Sequence, residues 1–413
     1  MNHRTNWCLS KTLGIVALSA TLGSSALLGQ QDVPFANGVP VAPTGLDKHP
    51  LGDGPWYYQT GEDMDIKVEL VARMEYAMAM TFLPDASLLV VTRRGKLYHI
   101  HDGGMAELAG GPPSVFAGDS GASGGTTHGY IDIALHPDFE TNRYIYLVYT
   151  KPKEDSPRGA LTLGRGVWNG KGLSDFEDVF DGGGTLGGVS RIAFGHDGKL
   201  YMTSGGQGSP QTLDSFAGKV LRLNDDGSVP DDNPYVGDSA ARPEIYSYGH
   251  RSALGLAVHP ADGSIWQAEN GPNGGDEINI IEPKMNYGWP LVSLGRTYQG
   301  PWQAEKPTHE GYQPPVVYWM PAIAVSGLMF YTGDALPKWK GDIFVGALRT
   351  GEINGTGHIQ RILLNQDYEE LRRESLLTDL RKRMRDLQQG PDGYIYVAIE
   401  ERDGGVLRIM PAD

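Results

Sequence analysis

The chain has 413 residues, 40% hydrophobic and 21% charged, enough apolar material for a sizeable core and too much for a disordered chain. Its 57 glycines and 27 prolines leave little room for long helices, and the glycines lack the three-residue period of collagen. A net charge of −15, with Arg381-Lys382-Arg383-Met384-Arg385 as the one basic run, argues against a binder of the nucleic-acid backbone and for simple solubility.

Taken in order, the chain opens with a basic start at Arg4 and Lys11. An apolar run from Leu13 to Leu22 follows, too short to cross a bilayer, and Ser24-Ser25-Ala26 supplies small residues at a cleavage position. Residues 1–26 are therefore expected to be a signal peptide, whose removal takes two bases and no acids and shifts the charge from −15 to −17. Cys8 precedes the apolar run, so the mature chain is expected to hold no thiol, disulfide or Cys-ligated metal. The expected location is periplasmic or secreted, with no membrane span after cleavage. Residues 27–65 read as a Pro/Gly/Asp-rich N-terminal extension, and residues 66–413 as a single β-rich domain.

Within that domain one pattern recurs six times: a tight turn containing Asp, then a short apolar or alternating run. The turns centre on Asp85, Asp138, Asp197, Asp262, Asp334 and Asp392, at intervals of 53, 59, 65, 72 and 58 residues. Pro and Gly set the turn dihedrals, Asp caps the turn, and β-branched or aromatic residues build a half-buried strand. A second strand follows several of them, as in Gly218-Lys219-Val220-Leu221-Arg222-Leu223 and Gly405-Val406-Leu407-Arg408-Ile409-Met410. Six such units predict an all-β fold, a six-bladed β-propeller of four-stranded antiparallel blades. No βαβ unit or phosphate loop is present. Only Gln366 to Leu387 carries a helix-like pattern of charged residues and leucines.

Propeller ligands sit at one end of the channel, so reactive groups are sought outside the repeated strands. Four segments qualify: Tyr248-Gly249-His250-Arg251-Ser252; Glu269-Asn270-Gly271-Pro272-Asn273-Gly274-Gly275-Asp276-Glu277-Ile278-Asn279, with Asn286-Tyr287-Gly288-Trp289-Pro290; Arg383-Met384-Arg385-Asp386; and the Gly-rich loop 121–129, containing His128. The first three segments, with His136-Pro137-Asp138-Phe139, resemble the soluble pyrroloquinoline quinone (PQQ)-dependent aldose dehydrogenases, the glucose/sorbosone dehydrogenase family. The similarity runs from about Val68 to the C-terminus, and the family is a six-bladed propeller.

The resemblance implies an oxidoreductase that oxidises a sugar or alcohol by hydride transfer to PQQ and passes electrons to an external acceptor. PQQ carries three carboxylates, which guanidinium forks bind bidentately. Arg251, Arg383 and Arg385 fall at cofactor-contacting positions of the family, and Arg349 stands where the family has a lysine. Each arginine alone can equally be structural, paired with Asp276 or Asp386 between blades. Gly271 and Pro272 match backbone-carbonyl ligands of an active-site Ca²⁺, and Glu277 with the Tyr287 carbonyl matches a structural Ca²⁺ site, although a tight loop also needs Gly and Pro for shape.

The sequence departs from the family in several places. The family's catalytic base is a histidine preceding the strand that here reads Arg191-Ile192-Ala193-Phe194, but the segment here is Gly184-Thr185-Leu186-Gly187-Gly188-Val189-Ser190. Family polar contacts are replaced by Thr127, Ser252, Leu254 and Ala322. His128 is the candidate replacement base, with a loop histidine of no role as the bland reading. Two other functions stay open: a hydrolase, lactonase or isomerase holding an anionic substrate on the arginines, or a non-catalytic propeller that binds glycans or a protein.

Overall fold

The computed structural model describes residues 35–36, 39–40, 46–47, 49–116, 128–154, 156–183, 189–206, 208–351 and 353–412, all within one unit spanning Pro34–Asp413. The expected signal peptide, loop residues 121–127 and the segment 184–188 lie outside the described residues.

Among the described residues, six antiparallel sheets form the blades, the first five laid down from the channel outwards, and a two-stranded hairpin, Phe35–Ala36 with Val39–Pro40, stands apart from them. Blade 1 comprises Ala77–Phe82, Leu88–Thr92, Leu97–His101 and Gly104–Glu107. Blade 2 runs through Tyr130–Leu135, Tyr144–Lys153, Ser156–Trp168 and Leu173–Asp181. Blade 3 takes Ile192–Phe194, Leu200–Thr203, Lys219–Leu223 and Ile245–Tyr248. Ala253–Val258, Ile265–Glu269, Asp276–Ile281 and Val317–Trp319 build blade 4. Blade 5 uses Val325–Phe330, Ile343–Ala347, His358–Leu364 and Glu370–Leu376. Each inner strand touches the inner strands on both sides, which closes the ring.

Blade 6 is made from both ends of the chain. Met384–Gln389, Ile395–Ile399 and Gly405–Pro411 are its three inner strands, and Ile66–Arg73 pairs antiparallel with the third. Trp56–Tyr58 adds a fifth strand outside it. Ile66 and Val68 are fully buried in the core that blade 6 shares with Trp339 and Phe344 of blade 5, so apolar burial drives the closure.

The repeated aspartates have one job. Asp85, Asp197, Asp262 and Asp392 each accept the backbone N–H two residues on, at 2.9–3.0 Å, and so shape the turn between the first and second strands. Asp138 and Asp334 occupy the same place, but a one-turn helix, Phe139–Asn142, and a 3₁₀ turn, Pro337–Trp339, lengthen those two turns.

The helix-like reading of Gln366 to Leu387 is corrected by the structure. Glu370–Leu376 is the outer strand of blade 5, and Met384–Gln389 is the inner strand of blade 6. Leu377 and Arg381, at φ 57° and 54°, turn the chain between them in a left-handed conformation that no helix interior accepts. The charged residues of this stretch pair outside it as well as within it: Glu374 binds Arg361 of the neighbouring strand at 2.9 Å, Arg372 lies 3.3 Å from Glu62, and Arg373 pairs with Glu370 three residues before it.

Arg191 pins the centre of the ring. Its guanidinium donates to Asp132 of blade 2 at 3.0 Å and to the Leu254 carbonyl of blade 4 at 2.8 Å. It also donates to the Arg385 carbonyl of blade 6 at 2.9 Å and to the Met78 carbonyl of blade 1 at 3.4 Å, and lies 3.3 Å from Asp386. Here the expected pairing of Asp386 with a site arginine is replaced by pairing with Arg191. One buried cation against two buried carboxylates leaves a negative balance, and burial, with Asp132 adding to it against the pull of Arg191, pushes Asp386 up to about 6.

Candidate functional site

In this topology the segments before each inner strand and after each second strand emerge at one end of the channel, opposite the Asp turns. Arg93, His128, Arg251, Gly271, Arg349, Arg383 and Glu400 all leave the sheets at that end. The sequence places them far apart, and the six-fold repetition returns them to one mouth.

The densest chemistry there is a cluster around Glu400, just beyond the second strand of blade 6. Its buried carboxylate lies 3.1 Å from Arg383 Nη2, 3.4 Å from Arg385 Nη1 and 3.4 Å from Arg93 Nη1. Three guanidiniums therefore share one carboxylate, and Arg93 and Arg385 are themselves buried. The Nε atoms of Arg93 and Arg385 are buried without a hydrogen-bond partner. Burial brings Arg385 down to about 10 despite Glu400, and the neighbouring Arg191, Arg383 and Arg93 add to the effect. The same cations hold Glu400 below the usual carboxylate range, although burial opposes this. The cluster has an excess of positive charge and orphaned donors, a setting suited to an anion.

His128 is buried at 3% exposure at the foot of blade 2's inner strand. Gly129 follows it at φ 81°, and a Cβ there would lie 1.9 Å from the Arg93 carbonyl oxygen. Only glycine lets the chain carrying His128 press against the Arg93 turn.

Arg251 stands at another part of the mouth, and no hydrogen bond or ion pair among the described residues joins it to Glu400. Its Nη1 donates to the carbonyls of Asn270 at 2.9 Å and Gly271 at 3.0 Å, and Nη2 reaches the Tyr298 hydroxyl at 3.3 Å. The Gly271 carbonyl, a candidate metal ligand, thus serves Arg251. Pro272 is buried beside it. Asp276 accepts the backbone N–H groups of Gly271, Ile323 and Val325 at 2.8–3.0 Å, bracing this loop against blade 5. Burial nevertheless pushes Asp276 up to about 6. Arg349 is placed by its own N–H, which donates to the Ile323 carbonyl next to Ala322.

Glu277 sits directly across the blade from Glu269, and Tyr287 stacks its ring on His250 at 4.5 Å. Burial and the Glu269 carboxylate push Glu277 well up. Burial also opposes charge on Glu269, but His250, the Arg251 N–H and Gln267 bring it down, so the pair keeps one charge. Asn279 Nδ2 lies 3.5 Å from Glu277, while its Oδ1 is buried without a donor. These oxygens suit a hard cation, although no group of three or more His, Cys, Asp or Glu among the described residues is arranged to hold one.

Sequence reasoning missed Arg93 and Glu400. The signal was available: each directly follows the second strand of its blade, the position equivalent to Asn270 beside Gly271.

The glucose/sorbosone dehydrogenase model matches residues 74–408. The chain belongs to this family. The aldose sugar dehydrogenase YliI of Escherichia coli is 36% identical over 363 residues, spanning 84% of this chain and 93% of the relative. The quinoprotein glucose dehydrogenase B of Acinetobacter calcoaceticus is 29% identical, over 73% of this chain and 67% of the relative. The apo-form crystal structure of the soluble E. coli aldose sugar dehydrogenase superposes with a TM-score of 0.74 at 34% identity, covering 84% of this chain and all of that one. As a family member the chain is an oxidoreductase by kinship, and its relatives act on sugars. Among the described residues no helix is long and apolar enough to cross a membrane.

Proposed function

We propose that this family member is an exported sugar or alcohol dehydrogenase that holds PQQ at the channel mouth. The observation that carries the reading is the set of three guanidiniums on Glu400 with two orphaned Nε donors. Carboxylates of the cofactor satisfy those donors, so the residues present fit it. Arg383, Arg385 and Arg93 would hold its carboxylates, with Arg251 and Arg349 adding charge from blades 4 and 5. When bound, PQQ supplies an electrophilic quinone that accepts hydride, and an external acceptor later removes the electrons. His128, itself buried, would take the proton of the substrate hydroxyl.

Calcium belongs to the same proposal, with uneven support. The Glu269–Glu277 pair and Asn279 Oδ1 favour a cation near Glu277 and Tyr287. At Gly271 and Pro272, Arg251 must give up the Gly271 carbonyl first. The relatives' activity favours this reading over a hydrolase, lactonase, isomerase or non-catalytic binder.

The test is a titration of the purified chain with PQQ and calcium, followed by the quinone absorbance, then turnover of aldoses and alcohols with an artificial acceptor. Saturable PQQ binding with turnover is expected, and His128→Ala should keep the binding while losing at least ~100-fold in turnover. Absence of PQQ binding rules the proposal out.

A further inference from the structure

The long connection between the last two strands of blade 4 carries an unusual surface. Ten large apolar side chains are exposed among the described residues, and four of them fall here: Met285, Leu291, Tyr298 and Trp302. A concentration of this kind marks a contact surface, whereas single exposed apolar residues are ordinary. Trp302 is 55% exposed, and the Arg296 guanidinium lies 4.2 Å from the centre of its ring. Arg296 is fixed in turn, donating to the Gly300 carbonyl at 2.9 Å.

This surface is continuous with the site. Arg296 and Asn273 exchange two backbone hydrogen bonds of 3.0 Å, which bind the connection to the loop carrying Gly271 and Pro272. Arg251 donates to the Tyr298 hydroxyl oxygen, and lies over both Trp289 at 5.2 Å and Tyr298 at 5.9 Å. The shelf therefore starts at the mouth and runs outwards to Trp302.

We propose that this shelf is an extended subsite for oligosaccharides, in which a sugar unit beyond the reacting one stacks on Trp302. A pyranose ring presents a C–H face to an aromatic ring and hydroxyls at its edge. The shelf offers that pairing, with ring surface on Trp302 and Tyr298 and polar hydrogen-bonding groups on Arg251, Arg296 and the Tyr298 hydroxyl. Continuity with the mouth favours a chain that reaches the reaction centre over a separate protein partner. The inference rests on the proposed sugar oxidation for its reacting end, and its own test does not need turnover.

The experiment is calorimetric titration of the full chain with glucose, maltopentaose and cellopentaose, alongside steady-state kinetics on the same sugars. One of the two pentasaccharides should bind more tightly than glucose. Trp302→Ala should weaken that binding about fivefold and raise the KM of the pentasaccharide with kcat held, while Trp302→Phe keeps most of the affinity. Leu371→Ala, removing another exposed side chain in blade 5, should change neither. If binding depends on Trp302 but no sugar is oxidised, the shelf stands and the redox proposal falls. Equal affinity for glucose and both pentasaccharides, or a Trp302→Ala variant that binds like the parent, overturns the shelf. A Trp302-dependent complex with a redox-partner protein in place of any sugar overturns it too.

Discussion

Replacing Arg385 by methionine should make the protein more stable and less able to bind the proposed cofactor. The guanidinium is buried between Arg383, Arg93 and Arg191, and among the described residues Glu400 is its one ion-pair partner, at 3.4 Å. Its pKa stands at about 10, against an ordinary value near 12.5, which corresponds to ~3 kcal/mol disfavouring the charged form in the folded chain. For a base with a lowered folded value this cost is fully present at neutral pH and fades only as pH rises above about 10. Methionine fills similar space without charge, and Glu400 keeps Arg93 and Arg383. Urea unfolding at neutral pH, without PQQ or polyvalent anions, should therefore show a gain of ~1–3 kcal/mol. PQQ, or citrate as a simpler polycarboxylate, should raise the melting temperature of the parent and not that of the variant. A variant no more stable than the parent, or one still stabilised by citrate, would refute the idea that this cluster stores charge for an anion.

Other outcomes follow from the same geometry. Arg93→Met should weaken PQQ binding by about tenfold or more in the absorbance titration, as expected for one charge-assisted hydrogen bond. Calcium should raise the melting temperature more at neutral than at mildly acidic pH, because the raised proton on Glu277 must leave before a cation enters; Glu277→Gln should remove that pH dependence. Asp276 binds its proton more tightly folded than unfolded, so its contribution to stability falls as pH rises from about 4 to about 6, and Asp276→Asn should flatten the unfolding free energy over that range. Val68→Asp, a carboxylate buried in the closure strand, should cost more than ~3 kcal/mol and release blade 6, visible as protease cleavage near the N-terminus.

The architecture was legible because its signal is local. An Asp side chain that accepts the backbone N–H two residues on shapes its turn from neighbours alone, so Asp85, Asp197, Asp262 and Asp392 announce their blades without help from the rest of the chain. Where that local signal is overridden, reading fails: charges from Gln366 to Leu387 have helical spacing, and Arg373 does meet Glu370, but Glu374 and Arg372 find partners on the neighbouring strand and on Glu62. The site was partly legible. Arg383 and Arg385 sit in a dense motif, while Arg93 and Glu400, more than 300 residues apart in sequence, become neighbours only when the ring closes. The hold of Arg251 on the Gly271 carbonyl depends on side-chain reach, which residue spacing does not encode.

The strand Ile66–Arg73, laid beside the final strand Gly405–Pro411, ties the site to the order of synthesis. The cluster around Glu400 needs Arg93 from the first blade and Arg383, Arg385 and Glu400 from the last, so it is assembled only when the closing blade has formed. A chain cut before Glu400 keeps Arg93 and lacks the carboxylate that gathers the guanidiniums.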